Sequence, residues 1–393
     1  MSGDPSLTIL NPNDMTAETY QKLKEKCKEV YEKNPGNRCA KYAIDYLDSE
    51  EGKSLSNEDG LVFYKCIRTG IDNIDSSMGC YAMTPADYTK FGGFFDKVIR
   101  DYHGDETGAK KHVTDWNTAA DADYDVKKLG QDELSMRVRV GRNLVGFNLP
   151  GKMDKAERVA FEQRMLPSFD QLIEKYGGKV HSLTPDFGDD GENPNKITDD
   201  EYKDLVDAHV MFKDMAADPY LASAGISNDW PYGRGCWQSQ DKMRIIWFGE
   251  EDQLRIMCMK KGSNLLEVFS NLNEMLNTVE SIDGIEFAKD DNYGYVTSCP
   301  TNLGTGMRAS VHVKIPNLTA DGTDKKAKEV CKPLGLSVRG TGGEHTPIGA
   351  DGTVDISPSA RLFIKESEII GKLYEGIEKL MAIENVVSLD SIA

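Results

Sequence analysis

Arginines recur in segments of the sequence whose residues alternate between polar and apolar. In SMRVRVGR (135–142), Arg137 and Arg139 share a face with Ser135, because successive side chains of a strand point to opposite faces. Such planar guanidinium groups would bind phosphate oxygens through paired hydrogen bonds if neighbouring strands brought them together. Three further arginines lie opposite apolar residues: Arg255 in LRIMCM (254–259), Arg308 in RASVHVKI (308–315) and Arg339 in LSVRG (336–340). A single strand arginine is usually a solvated side chain, but five of them in a chain of formal net charge −18 favour a polyphosphate site.

Carboxylates and a thiol occur near these segments. Glu250 and Glu251 lie in GEEDQ, and Cys299 precedes a proline in CPTNLGT (299–305). Glu344 lies in GTGGEHTPIGADG (340–352), whose five glycines predict a loop that could close over a substrate and exclude water. Taken alone, that segment is more typical of a surface loop, and GEEDQ of a charged turn. No GxxxxGK[ST] sequence is present, so arginines rather than a P-loop lysine would hold the phosphates of any bound ATP.

The composition restricts the possible classes of protein. The 393 residues suffice for two or three domains, and 39% hydrophobic with 28% charged residues is typical of a globular protein. The negative net charge argues against nucleic acid as a partner, because such binding depends on a basic surface. No apolar window is long enough to span a membrane, and MSGDPSLTIL does not resemble a signal peptide. The eight cysteines are scattered without a CxxC pair, which predicts free thiols in a cytoplasmic protein.

The order of the predicted elements indicates helices first and a sheet later. Residues 16–33 have the pattern of a helix that begins after a threonine cap, and 103–130 read as a connection. MRIIWF (243–248) and LRIMCM are separated only by GEEDQ, which predicts an antiparallel hairpin in a largely antiparallel sheet. The acidic residues 186–202 are expected to form a solvated loop. Amphipathic helices are predicted over 263–282 and 365–384.

Four motifs carry a resemblance to a known family. CPTNLGT, EEDxLR at 250–255, SxRVRxGR at 135–142 and RGTGGEHT at 339–346 resemble the phosphagen kinases, the ATP:guanidino phosphotransferases. The resemblance extends from about residue 60 to about residue 384. It implies an α+β fold: a small all-helical N-terminal domain followed by a larger α/β domain with a central antiparallel sheet flanked by helices. The expected division is a helical guanidino-substrate domain at 1–112 and an ATP-binding catalytic domain at 113–393.

The resemblance also implies a role for each residue of these motifs. Glu251 and Glu344 would clamp the guanidinium of the substrate and serve as general base. Cys299 would place a thiolate beside that guanidinium, with a pKa lowered by nearby cations. The phosphoryl donor would be MgATP, with Mg²⁺ held mainly by the nucleotide and water. ATP and its phosphates would contact Ser135, Arg137, Arg139, His209, Arg255, Arg308, His312, Arg339 and Asp355.

The acceptor expected from the resemblance is L-arginine, which would give phosphoarginine and ADP in a reversible, energy-buffering reaction. The loop DSSMGCYAM (75–83) has the short length found in arginine kinases, which suits a substrate with a long carbon chain. Taurocyamine and lombricine remain alternatives, because some of their kinases share this loop. The substrate-binding residues would be Ser76, Ser77 and Met78, whose N–H groups would meet a carboxylate, with Tyr81 and Tyr102.

Two other classes of protein are less consistent with the sequence. A catalytically inactive nucleotide-binding relative would lack a reacting group, whereas Glu251, Glu344, Cys299 and the five arginines are all present. A bacterial kinase of protein arginines would lack the helical N-terminal domain. The expected protein is therefore a monomer or homodimer whose partners are ATP or ADP and a small guanidino compound, with no nucleic acid and no membrane.

Overall fold

Helices form the N-terminal region. The computed structural model describes residues 14–342 and 346–390. The first predicted helix is confirmed, and it begins after Thr16, whose side chain accepts a hydrogen bond from the Thr19 N–H as an N-cap does. The helices here are α1 (Ala17–Lys33), α2 (Arg38–Asp48), α3 (Glu50–Lys53), α4 (Asn57–Asp72), α5 (Asp87–Lys90) and α6 (Gly92–His103).

An antiparallel sheet follows the predicted connection. The elements are β1 (Leu134–Arg142), α7 (Lys155–Tyr176), β2 (Lys179–Ser182), α8 (Asp199–Asp207), α9 (Pro219–Ser223), β3 (Gly235–Gln238), β4 (Arg244–Phe248), β5 (Leu254–Gly262), α10 (Leu265–Glu280), β6 (Lys289–Asp290), β7 (Gly294–Tyr295), β8 (Met307–Lys314), α11 (Lys325–Cys331), β9 (Leu336–Arg339), β10 (Thr353–Pro358) and α12 (Glu366–Asp390). Within the described residues, eight strands pair in the order β2-β3-β4-β5-β1-β8-β10-β9, each pair antiparallel. The β4–β5 hairpin is thus confirmed.

Strand alternation separates the two faces of this sheet. Along β1, Met136, Val138 and Val140 are buried, and the arginines between them face the opposite side. The apolar face packs with residues of α7, α10 and α12 in one hydrophobic core. The expected fold, an antiparallel sheet flanked by helices after a helical region, is therefore confirmed.

A second core joins the helical region to the sheet-bearing region. It contains residues of α2, α4 and α6 together with Cys299, Leu303 and Leu362. Tyr88 of α5 also donates a hydrogen bond to the Thr297 carbonyl at 2.7 Å. The turn that carries the cysteine of CPTNLGT therefore lies where the two regions meet. The domain division between residues 112 and 113 stays a prediction.

The helices test two further expectations. The acidic loop predicted over 186–202 is partly wrong, because α8 begins within it. Thr198 and Glu201 form a reciprocal capping box there, which satisfies N–H groups at the start of the helix. No helix in the ranges 14–342 and 346–390 is both long and apolar enough to cross a bilayer.

Candidate active site

A cavity of about 400 Å³ lies on the arginine-bearing face of the sheet. Its residues come from β1, β4, β5, β8, β9 and β10, from the segment between α8 and α9 and from the residues just after β9. Eight of the nine residues predicted to bind the nucleotide line it: Ser135, Arg137, Arg139, His209, Arg308, His312, Arg339 and Asp355.

The register of the strands brings these side chains together. Arg139 of β1 is paired with Arg308 of β8. On β10, Asp355 is paired with His312 of β8 on one side and with Arg339 of β9 on the other. Paired residues of antiparallel strands project to the same face of a sheet, so residues far apart in sequence become neighbours.

The positive charge of the cavity is only partly neutralised. Arg308 Nη2 donates a hydrogen bond to the Asp355 carboxylate at 2.6 Å. Arg139 makes no hydrogen bond or ion pair within the described residues. Burial lowers the pKa of Arg139 well below its usual range, and the positive charges of Arg255 and Arg137 add to the effect. An anionic ligand would remove this repulsion, which is the property expected of a phosphate site.

Arg255 lies beside the cavity rather than in its wall. Its guanidinium carbon is 5.4 Å from the centre of the Trp247 ring, and Trp247 itself lines the cavity. Nη2 of Arg255 is 2.8 Å from Glu250 Oε2 and 3.7 Å from Glu251 Oε2. Arg255 therefore connects the arginine-bearing face to the two carboxylates of the β4–β5 turn.

Glu251 is a mostly buried carboxylate in that turn. Its Oε1 is 3.5 Å from Nδ2 of Asn302, which lies three positions after Cys299 in the chain. Burial raises the pKa of Glu251 well above its usual range, and the negative charges of Asp252 and Glu250 act in the same direction. A carboxylate whose pKa is raised in this way is suited to accept a proton near neutral pH. The second predicted carboxylate, Glu344, lies outside the described residues.

Cys299 precedes a short turn that leads into β8. The residue is 7% exposed, and its Sγ is 3.1 Å from Thr301 Oγ1. Burial raises the pKa of the thiol to about 12, and the Glu251 carboxylate contributes to the rise. The expectation of a lowered thiol pKa is therefore wrong for this structure, because the strongest charge effect on the sulfur comes from a carboxylate and not from an arginine.

The raised pKa predicts slow alkylation of Cys299 by iodoacetamide, because little thiolate is present at neutral pH. Glu251→Gln removes one cause of the shift, so alkylation should accelerate, about tenfold for each unit by which the pKa falls. Mass spectrometry of each cysteine between about pH 7 and 10 would measure these rates. Cys236, whose thiol pKa burial alone raises to about 12, is the control and should not respond. Equal rates of Cys299 alkylation in wild type and Glu251→Gln would contradict the effect of Glu251 on the thiol pKa.

The predicted substrate loop lies beside the cysteine turn. The Ala82 N–H donates a hydrogen bond to the Ser298 carbonyl at 2.8 Å. Burial raises the pKa of Tyr81, and the Glu251 carboxylate contributes, which indicates that the phenol lies near this carboxylate. The loop, the turn and the carboxylate therefore lie close to one another.

The N–H groups of the loop differ in availability. Ser76 donates its N–H to the Asn73 carbonyl at 3.0 Å, so this group is already hydrogen-bonded in the structure, and its contact with a substrate carboxylate stays a prediction. In the described part of the chain, the N–H groups of Ser77 and Met78 have no acceptor. Their carbonyls accept hydrogen bonds from the first two N–H groups of α2, at 3.2 and 3.1 Å, which fixes the loop against that helix.

Tyr102 lies in the last turn of α6 and is 40% exposed. The Arg38 guanidinium carbon is 5.4 Å from the centre of its ring. The next residue, His103, has Nε2 at 2.9 Å from the Pro300 carbonyl oxygen, so the end of α6 packs against the cysteine turn. Tyr102 therefore lies at the edge of the region that the loop and Cys299 border.

Comparison with known families agrees with this arrangement. Residues 49–100 match the family model of the ATP:guanido phosphotransferase N-terminal domain, and residues 162–387 match that of the C-terminal catalytic domain. The chain belongs to the ATP:guanido phosphotransferases. The family to which the four motifs pointed is thus confirmed.

Phosphotransferases with different acceptors are similar to this chain. An arginine kinase of Anthopleura japonica is 37% identical over 344 residues, covering 86% of this chain and 46% of that protein. The testis creatine kinase of Oncorhynchus mykiss is 36% identical, covering 84% of each chain. The substrate-free duplicated taurocyamine kinase of Schistosoma mansoni has a TM-score of 0.76 at 28% identity, covering 94% of this chain and 49% of that one. This chain therefore spans about half the length of two of these relatives.

Asp252 holds two segments of the candidate site together. Its Oδ1 accepts a hydrogen bond from the Ser298 N–H at 2.7 Å and another from Asn143 Nδ2 at 2.8 Å. Asp252 follows Glu251 in the chain, and Ser298 precedes Cys299. These hydrogen bonds therefore fix the Glu251 carboxylate and the Cys299 thiol relative to each other. The role of Asp252 depends on tertiary contacts, so the sequence patterns did not identify this residue.

A sixth arginine near the candidate site was also missed. Arg361 lies between β10 and α12, and its pKa is lowered by burial. The charges of Tyr102, Arg339 and Glu251 also act on it, so its guanidinium lies in the neighbourhood of these three residues. No strand alternation or motif marks this irregular segment, so the sequence offered no signal for it.

Proposed function

We propose that this chain transfers the γ-phosphoryl group of ATP reversibly to L-arginine, giving phosphoarginine and ADP, as a cytoplasmic energy buffer. The observation that supports this most is the position of Arg255. It lies next to Trp247 of the arginine-lined cavity and next to Glu251, whose charge also acts on Cys299 and on Tyr81 of the loop 75–83. A nucleotide in the cavity would therefore direct its γ-phosphate towards an acceptor held by the carboxylate.

The proposed mechanism depends on position and charge. A guanidinium group is permanently protonated and is therefore a poor nucleophile. Glu251 would orient the guanidinium of the acceptor by hydrogen bonds and accept its proton as the nitrogen attacks the γ-phosphorus. The arginines of the cavity would neutralise the charge that spreads over the phosphoryl oxygens, which is the main requirement of phosphoryl transfer.

Mg²⁺ is expected to enter this site with the nucleotide. Over residues 14–342 and 346–390, no group of three or more His, Cys, Asp or Glu side chains is placed to hold a metal ion. The carboxylates nearest the arginines are already ion-paired, Glu250 with Arg255 and Asp355 with Arg308. The arginines would thus hold the phosphates, while the bound ion would neutralise charge on the β- and γ-phosphate oxygens.

L-arginine fits the groups around the substrate loop. The N–H groups of Ser77 and Met78 could donate hydrogen bonds to its α-carboxylate, and Tyr81 and Tyr102 border the same region. The sulfonate of taurocyamine or the phosphodiester of lombricine could occupy the same donors. A solved lombricine kinase supports this second candidate, because it has a TM-score of 0.72 at 28% identity and covers 88% of this chain and 95% of its own.

Substrate assays test the proposal. Purified protein would be incubated with MgATP and, separately, with arginine, taurocyamine, lombricine, glycocyamine or creatine, and ADP release would be followed. The highest kcat/KM is expected with arginine. A preference for taurocyamine or lombricine would keep guanidino phosphotransfer and replace the acceptor. No ADP release with any of these compounds would contradict the proposed activity and favour an inactive nucleotide-binding relative.

A further inference from the structure

A side-chain hydrogen bond connects the substrate loop to the sheet-bearing region. The Tyr220 hydroxyl, on α9, donates to the Asp75 carboxylate at 2.8 Å. Asp75 is the first residue of the loop 75–83 and directly precedes the segment that carries Ser77 and Met78. This contact therefore lies two residues before the first of the two available N–H donors.

Other polar contacts surround this hydrogen bond. Thr69 Oγ1, at the end of α4, donates to the Tyr220 carbonyl at 3.3 Å, and Ser223 Oγ donates to Thr69 Oγ1 at 3.2 Å. Asn73 Nδ2 donates to Ser223 Oγ at 3.0 Å. We call this set the α4–α9 contact. Because it includes the residues just before the loop, the base of the loop is held against α9.

The chain segment that precedes α9 reaches the arginine-lined cavity. His209 and Met211, which precede α9 in the chain, both line that cavity. Met211 also belongs to a small hydrophobic core in which Met215 is buried and against which Tyr81 and Leu221 pack. The segment from His209 to the end of α9 therefore contacts the cavity, Tyr81 and the base of the loop 75–83.

We propose that Tyr220 is a positioning residue that fixes the substrate loop through Asp75 and thereby sets the affinity for the guanidino acceptor. The inference rests on the proposed function. The hydrogen bond to Asp75 raises the pKa of Tyr220, so the phenol remains a donor throughout the neutral range. Tyr220 touches neither of the predicted reacting groups, so the expected signature is a change in acceptor KM and not in the chemical step.

Steady-state kinetics of Tyr220→Phe tests the proposal. The variant keeps the ring and loses only the donor, so acceptor KM should rise about three- to tenfold, as expected for a lost hydrogen bond to a charged group. The kcat and the KM for MgATP should stay within about twofold of wild type. Asp75→Ala, which removes the acceptor, should have a similar effect, and the double variant should be no worse than either single variant, because both changes remove the same interaction. An unchanged acceptor KM, or additive effects, would overturn the proposal.

A matched control separates positioning from general stability. Tyr293 donates to Asp96 of α6 at 2.6 Å, and this bond also joins the helical region to the sheet-bearing region but lies outside the loop. Tyr293→Phe should lower Tm without raising acceptor KM. An equal rise in acceptor KM for Tyr293→Phe would reduce Tyr220 to a merely structural role.

Hydrogen exchange keeps the test independent of the acceptor. Amides 76–80 should exchange faster in Tyr220→Phe than in wild type, and not in Tyr293→Phe. If wild type prefers another guanidine, the kinetic test uses that acceptor, and the proposed substrate fails while the positioning role stands. If wild type is inactive with every acceptor, unchanged exchange at 76–80 overturns the positioning role, and faster exchange supports it.

Discussion

Glu251→Gln is expected to lower kcat about a thousandfold, within the range for loss of a general base. Glutamine keeps the size and the hydrogen-bonding oxygen of the side chain but cannot accept a proton. The buried position of Glu251 and the raised pKa of its carboxyl make it the described group best placed to take that proton. The nucleotide cavity is formed by other residues, so the Kd for MgADP should change by less than about twofold.

Coupled-enzyme kinetics and calorimetric titration with MgADP would measure the two quantities. Glu267→Gln is the matched control, because Glu267 is an exposed residue of α10 that is ion-paired with Lys260 away from the site. Its kcat should equal that of wild type. If Glu251→Gln retained turnover within a factor of about three, which is under ~1 kcal/mol, the carboxylate would not be the base.

The same variant has an expected signature in folding stability. Burial and the charges of Asp252 and Glu250 raise the folded-state pKa of Glu251 above its ordinary value of 4.5. The contribution of this carboxyl to stability is therefore fully present below the unfolded pKa and is lost as the pH rises through the folded pKa. Glutamine does not ionise, so the Tm of Glu251→Gln minus that of wild type should increase between about pH 5 and 9. Thermal unfolding at several pH values measures this difference, and a constant difference would contradict the raised pKa.

The arginine-bearing face was predictable because strand alternation is a local property. Arg137 and Arg139 alternate with buried residues within one short segment, so the period of two identifies their shared face without any tertiary information. The β4–β5 hairpin followed in the same way from two strand-like segments and a short turn. The start of α8 was also visible in principle, since Thr198 and Glu201 have the spacing of a capping box within an acidic run.

Tertiary contacts determine what the sequence did not reveal. The pKa of Cys299 depends on the burial of its thiol and on the carboxylate of Glu251, 48 positions earlier in the chain. The Ser76 N–H is already hydrogen-bonded because the loop turns back on Asn73, and Arg361 reaches the site from an irregular segment. Strand periodicity reports which side of an element a residue faces. It does not report burial, local charge or the path of a loop, and these decide the chemistry of a side chain.

Arg255→Ala is expected to lower kcat by about a hundred- to a thousandfold, as for the loss of one preorganised donor in an active site. The structure gives two reasons for a large effect. Arg255 lies between the nucleotide cavity and the carboxylates, where charge would develop on the transferred phosphoryl group. Its positive charge also opposes the rise in the pKa of Glu251, so its loss raises that pKa further. The rising limb of the kcat/KM profile should therefore move to higher pH in the variant.

Arg244→Ala is the matched control for this prediction. Arg244 lies on the neighbouring strand β4, is ion-paired with Asp241 at 2.6 Å, and has its guanidinium 4.3 Å from the centre of the Tyr176 ring. It thus resembles Arg255 in chemistry but lies away from the cavity, so its loss should lower Tm and leave kcat unchanged. Arg255→Lys keeps the charge without the planar fork, and comparing it with Arg255→Ala separates charge from bidentate geometry. Equal kcat values for wild type and Arg255→Ala would show that transfer does not pass beside this residue.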